Sequence, residues 1–183
     1  MIDPQTLPSD NFEEFYPKLE TGFIDELETL ALNRLYRERI FTLPGAENEK
    51  VEFVSKSNYK IRIKRPNKNL WSVPLQDFRK CIKIALREGT IDPSIPFGEE
   101  NAPPPEEELP LMSLLHVLPE EEYLRRSLVG NLIEHQTLGD GKIIRILESG
   151  NLEIEFKDQT LVLKPSFVKL KGAAKKAPAI KSD

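Results

Sequence analysis

The sequence predicts an α+β chain in which a small αβββα domain precedes a small five-stranded β-barrel. Apolar residues recur at three- and four-residue spacing over residues 23–37 and again over 75–88, the period of a helix with one buried face. Between these stretches Tyr59, Ile61 and Ile63 alternate with Lys60, Arg62 and Lys64, the period of a half-buried strand. From Val129 to Lys171, short apolar runs are broken by tight-turn signals at a spacing of roughly six to ten residues, as in a compact all-β unit.

Residues 1–19 read as an irregular arm, with Pro4, Pro8 and Pro17 among the aromatics Phe12, Phe15 and Tyr16. The domain proper spans 20–90. Its first helix runs from about Phe23 to Arg37, with Ile24, Leu27, Leu30, Ala31 and Leu35 on the apolar face. Thr21 is placed to cap its start. Asp25, Glu26 and Glu28 suit the positive end of the dipole, and Arg34, Arg37 and Arg39 the negative end. A strand follows at Arg39–Leu43 and is ended by Pro44-Gly45.

Lys50–Lys56 and Tyr59–Arg65, separated by Ser57-Asn58, read as a β-hairpin. Its alternation sends Tyr59, Ile61 and Ile63 to the core and three cations in a row to the opposite face. After a turn at Pro66–Asn69, Leu70–Val73 forms a short strand, and Pro74 opens a helix that Gly89 stops. Leu75, Phe78, Ile82, Ala85 and Leu86 make its apolar stripe, while Arg79, Lys83 and Arg87 share a face at four-residue spacing. Residues 91–127 read as an acidic linker, proline-rich over 91–110, with short helices at Ser113–Leu118 and Pro119–Arg126. The barrel occupies 128–171, and 172–183 form a flexible basic tail.

The net charge of −4 hides a segregation along the chain. Residues 1–50 carry −6, 51–90 carry +7, 91–127 carry −7 and 128–183 carry +2. A basic block between two acidic ones predicts a local anion-binding surface, unless the acidic flanks fold back and neutralise it. Several classes are excluded by composition. One cysteine, Cys81, rules out an internal disulfide framework and a Cys-rich zinc site. No apolar run approaches the ~20 residues of a membrane span. Met1-Ile2-Asp3-Pro4 lacks the basic start and apolar core of a secretory signal. These observations predict a soluble, cytoplasmic protein without membrane contact.

Written out, Val129-Gly130, His135, Gly139-Asp140-Gly141, Ile143-Ile144, Ile154-Glu155-Phe156 and Leu170 resemble the Tudor/SH3-like module at the end of UvrD/PcrA-type helicases. Related modules occur in CarD-type transcription factors. The resemblance covers residues 129–171, and nothing of a helicase motor is present. Leu138 stands where the family usually has Phe, and Asp158-Gln159 where it has an Asp-Gly type turn. The resemblance implies an SH3/Tudor-like barrel with protein or nucleic-acid contacts inside transcription or repair machinery. Its partner-binding candidates are His135, Asp140, Lys142 and Arg145. Gly139 and Gly141 bracket Asp140 in a turn where positive φ is expected.

In the basic block, Lys60, Arg62, Lys64, Arg65, Lys68, Arg79, Lys83 and Arg87 are the nucleic-acid-binding candidates. A strand face bearing them can lie in a major groove and neutralise phosphates, with salt-sensitive affinity as the mark. The competing reading is an edge sheet made soluble by lysines. Catalytic readings are thin. Asp140 with Glu155-Phe156-Lys157 has the spacing of a metal-dependent nuclease core, yet the barrel accounts for the same residues. Cys81 has no histidine in its neighbourhood of sequence to act as base. His135 reads as a turn residue, and with His116 far away no metal site is expected. A non-enzymatic, cofactor-free nucleic-acid-associated accessory protein is expected, contacting a DNA or RNA backbone and docking on a larger protein through the barrel. The alternative is a protein–protein adaptor without nucleic-acid contact.

Overall fold

The computed structural model describes residues 12–44, 49–66, 70–92 and 111–173. The first arm residues, the glycine of the Pro44-Gly45 turn, Lys68, the proline-rich stretch 93–110 and the tail from 174 onward lie outside them. The chain divides into two compact units, residues 17–127 and residues 1–16 with 128–183. Each carries its own antiparallel sheet, of four strands in the first and five in the second, so the architecture is α+β.

α1 runs over Phe12–Glu38, so helix replaces the later part of the expected irregular arm and passes through Pro17. The proline removes one hydrogen bond near the helix start. Burial of Leu19, Phe23, Leu27 and Ala31 along one face carries the helix across that gap. Thr21 is therefore no cap. It lies inside the helix, where its Oγ1 donates to the Pro17 carbonyl at 2.8 Å. The helix ends at Arg39, which takes the left-handed conformation (φ 61°) and donates its N–H to the Leu35 carbonyl.

The chain then enters β1 (Ile40–Leu43), β2 (Glu49–Lys56), β3 (Lys60–Lys64) and β4 (Trp71–Pro74), neighbours in that order. The strand expected at Arg39–Leu43 is present over Ile40–Leu43, so the sheet holds four strands where the αβββα pattern counts three. The Arg39–Leu43 run joins the sheet because Phe41 pairs with Val51 and Leu43 with Glu49, both Phe41 and Leu43 pointing inward. A bulge at Val54 separates the Phe53–Ile63 pair from the Ser55–Arg62 pair. Val51, Phe53, Ile61, Ile63 and Val73 fill the inner face. Tyr59, expected there too, is 83% exposed because the strand begins one residue later.

α2 (Leu75–Glu88) lays Phe78, Cys81, Ile82, Ala85 and Leu86 on that face and stops at Gly89, whose φ of 67° only glycine adopts without strain. The segment from Leu111 is not linker. A 3-10 helix (Leu111–Val117) and α3 (Glu120–Leu124) complete the core of the first unit. Met112, Leu114, Leu115, Val117 and Tyr123 are buried almost completely, which no solvated tether achieves. Polar bonds fix the segment. The Ser113 hydroxyl donates to the Pro44 carbonyl (2.9 Å), Tyr123 to that of Leu115 (2.7 Å) and Ser127 to that of Leu86 (2.5 Å). The buried Arg126 forks onto Glu26 of α1 at 2.6 and 3.1 Å and reaches Glu122 at 2.9 Å.

In the second unit β5 (Asn131–His135), β6 (Gly139–Ile146), β7 (Leu152–Phe156) and β8 (Thr160–Leu163) form a meander. A 3-10 turn at Pro165–Phe167 then leads to β9 (Val168–Ala173), which pairs back on β5. The sheet order is β8-β7-β6-β5-β9; no pairing joins β8 to β9 among the described residues, so the expected closed barrel is an open sheet here. Tyr16, Leu128, Ile133, Ile143, Ile146, Leu152, Ile154, Phe156 and Val168 make its core. Gly139 has the expected positive φ (78°), whereas Gly141 does not. Gly141 is needed for space: a Cβ there would stand 2.7 Å from Ile154 Cγ2 and 2.9 Å from the Phe156 ring.

Two outcomes follow. Gly141→Ala should cost about 1–3 kcal/mol in urea unfolding, the size of a core overpacking penalty, with no change in secondary structure. The Arg126 guanidinium holds the Glu26 carboxyl below the ordinary glutamate value of 4.5. Its contribution is therefore full above pH 4.5 and is lost as pH falls through the lowered value. Melting temperature should fall in that acid window, and Glu26→Gln should flatten the dependence.

Candidate nucleic-acid interface

The four-stranded sheet buries one face and exposes the other. Alternation sends Ile40 and Thr42 of β1, Lys50, Glu52 and Val54 of β2, Arg62 and Lys64 of β3, and Ser72 of β4 outward, and all of them are exposed. Lys60 follows on the same strand face and is half-buried. Register sets the neighbours: Ile40, Glu52 and Lys64 lie in one row across three strands, and Ser55, Arg62 and Ser72 in the next. Four cations thus share a surface with one carboxylate and two exposed aliphatic side chains. Neither Arg62 nor Lys64 is held in an ion pair among the described residues.

The cations expected to join them from α2 do not. Arg87 forks onto Glu20 of α1 at 2.8 and 2.9 Å, with both side chains largely buried. Lys83 approaches the same carboxylate at 3.8 Å. Arg79 bonds Asp25 at 2.6 Å and also Glu28. The acidic first block therefore folds onto part of the basic one, pairing Arg79 and Arg87 closely and Lys83 at longer range. Arg65 is 6% exposed, and its burial removes it from any phosphate-contacting surface. Lys68 lies outside the described residues. Of the eight candidates, Lys60, Arg62 and Lys64 remain on one face.

Sequence reasoning overlooked Lys50, Ile40 and Val54. They reach the surface through strand pairing, which periodicity within one strand does not reveal. The alternation of Ile40-Phe41-Thr42-Leu43 was the available signal, since it sets Ile40 on the face opposite the core.

The candidates of the second sheet are engaged locally. His135 Nδ1 accepts the N–H groups of Thr137 (3.3 Å) and Leu138 (3.2 Å), which places the ring proton on Nε2. Its ring meets Phe156 edge-on. This is a turn-fixing role. Asp140 bonds Lys171 at 2.5 Å, and Arg145 pairs across the strands with Glu153 at 3.0 Å. Lys142 is exposed, opposite Leu132 and Glu155 in register. No three His, Cys, Asp or Glu side chains gather as a metal site among the described residues. Cys81 is fully buried, and that burial pushes its thiol up to about 12, which keeps it un-ionised and unreactive. No helix among the described residues is long and apolar enough to cross a membrane.

Arg87→Ala should cost about 3 kcal/mol in chemical denaturation, because it removes the two-pronged partner of the buried Glu20 carboxylate. Lys83→Ala, removing a longer and more exposed contact, should leave stability unchanged in the same measurement. No family model, curated protein or solved structure matches this chain.

Proposed function

We propose that this chain is a non-enzymatic, nucleic-acid-associated accessory protein whose binding surface is the open face of the β1–β4 sheet. The observation that carries the reading is the contrast between two sets of cations. Arg79 and Arg87 are paired with carboxylates of α1, while among the described residues Arg62 and Lys64 stand exposed without ion partners on a face shared with Lys50 and Lys60. Charges left unpaired at a surface are those available to phosphates, and each phosphate neutralised releases counterion. Contacts of this kind position a backbone without reading bases.

The second unit docks the protein on a larger assembly. A four-stranded meander, a 3-10 turn and a fifth strand returning to the first is the strand order of an SH3/Tudor-like barrel, and this order supports the resemblance in residues 129–171. Lys142 and the paired surface around Arg145 and Asp140 supply its polar contacts. Two linked weak modules would then act by avidity.

One observation favours the second reading, an adaptor without nucleic acid: α1 already covers the α2 cations, and Ile40 (64% exposed) and Val54 (39%) make the sheet face partly apolar. Binding across a salt series separates the two. In anisotropy titrations with short DNA and RNA, log affinity should fall linearly with log salt, and alanine at Arg62 and Lys64 should reduce the slope by about 0.7–0.9 per residue. Arg62→Glu with Lys64→Glu should abolish binding. Loss-free binding in that double variant, or none by the unaltered protein at low salt, rejects the proposal.

A further inference from the structure

Resting on the proposed function, we infer that the open sheet face takes single-stranded rather than duplex nucleic acid. Width is the first argument. Four strands at about 4.8 Å spacing set the outer backbones roughly 14 Å apart before side chains are added. A B-form major groove is about 12 Å wide and admits a two-stranded ribbon or one helix. The expected insertion of this face into a major groove is therefore sterically closed. The short strands at its two sides, β1 and β4, hold the cation-bearing β3 away from either edge, β1 and β2 lying on one side and β4 on the other.

The apolar component is the second argument. Ile40 lies in the row of Lys64 and Val54 on the strand next to Arg62, and both side chains are exposed. A duplex presents a polyanionic exterior that leaves such groups uncompensated. An open strand presents unstacked base faces beside every phosphate, and these cover exposed apolar side chains. Spacing is the third. Lys60, Arg62 and Lys64 are two residues apart along one strand, a repeat of about 6.7 Å that an extended phosphodiester backbone can follow along β3.

The test uses the full chain and labelled 15-nucleotide probes of one sequence, as single-stranded DNA, single-stranded RNA and duplex DNA, each titrated by anisotropy across salt. Single strands of DNA or RNA should bind at least about tenfold more tightly than the duplex, the better of the two identifying the sugar preferred. Ile40→Ser with Val54→Ser should weaken single-strand binding by about tenfold while leaving the salt slope intact, since no cation is removed. Both positions are exposed, and circular dichroism confirms folding of the variant. Duplex binding equal to or tighter than single-strand binding, abolished by Arg62→Glu with Lys64→Glu, overturns the inference and leaves the nucleic-acid reading intact. Absence of binding by all three probes at low salt overturns both.

Discussion

The buried fork between Glu20 and Arg87 and its neighbours along α1 decide how the first unit presents charge. α1 sends Glu20, Asp25 and Glu28 to α2 and Glu26 to Arg126, so one helix meets both α2 and the returning segment with carboxylates. Ion pairs of this depth offset their own desolvation only when their geometry is complete, and the two-pronged contacts of Arg87 and Arg126 meet that condition. The seam thereby engages Arg79 and Arg87 of α2, while Arg62 and Lys64 stay on the outer face of the sheet.

The same constraint orders the core. With α1 and α2 tied side by side, the sheet's inner face and the 111–124 segment close around Phe53, Ile61, Ile63, Phe78 and Tyr123. Tyr123 shows how a polar atom is admitted there: its hydroxyl meets the Leu115 carbonyl within its own segment, and burial pushes its ionisation far above the ordinary range. The second unit solves its packing differently, by removing a side chain at Gly141 so that Ile154 and Phe156 approach the strand directly.

Periodicity made the helix at 75–88, the strands and the turns of the second unit legible, because each is decided by neighbours within a few residues. The alternation of β3 placed Arg62 and Lys64 on the solvent face for the same reason. What stayed hidden depends on distant partners. Residues 111–127 looked like tether because prolines and glutamates precede them, yet Leu114, Leu115 and Tyr123 find their burial only once α2 is formed. Arg79 and Arg87 looked like a basic helix face, since nothing local shows that α1's acidic positions fall in register with them. Gly141 looked like a turn glycine beside Gly139, and only the position of Phe156 across the strand pair reveals the steric reason.

Neither sheet closes on itself among the described residues, so β1, β4, β8 and β9 each end a ladder with backbone groups able to template another chain. The chemistry at these borders limits growth. β1 and β8 are four residues long, too short to hold a foreign strand firmly. β4 finishes in Pro74, which has no N–H to offer. β9 sets Lys169 and Lys171 along its length, so that two copies meeting edge to edge would align like charges. Resistance to edge-to-edge pairing is thus set at four strand borders, and a variant that lengthens β8 or neutralises β9 would remove part of it.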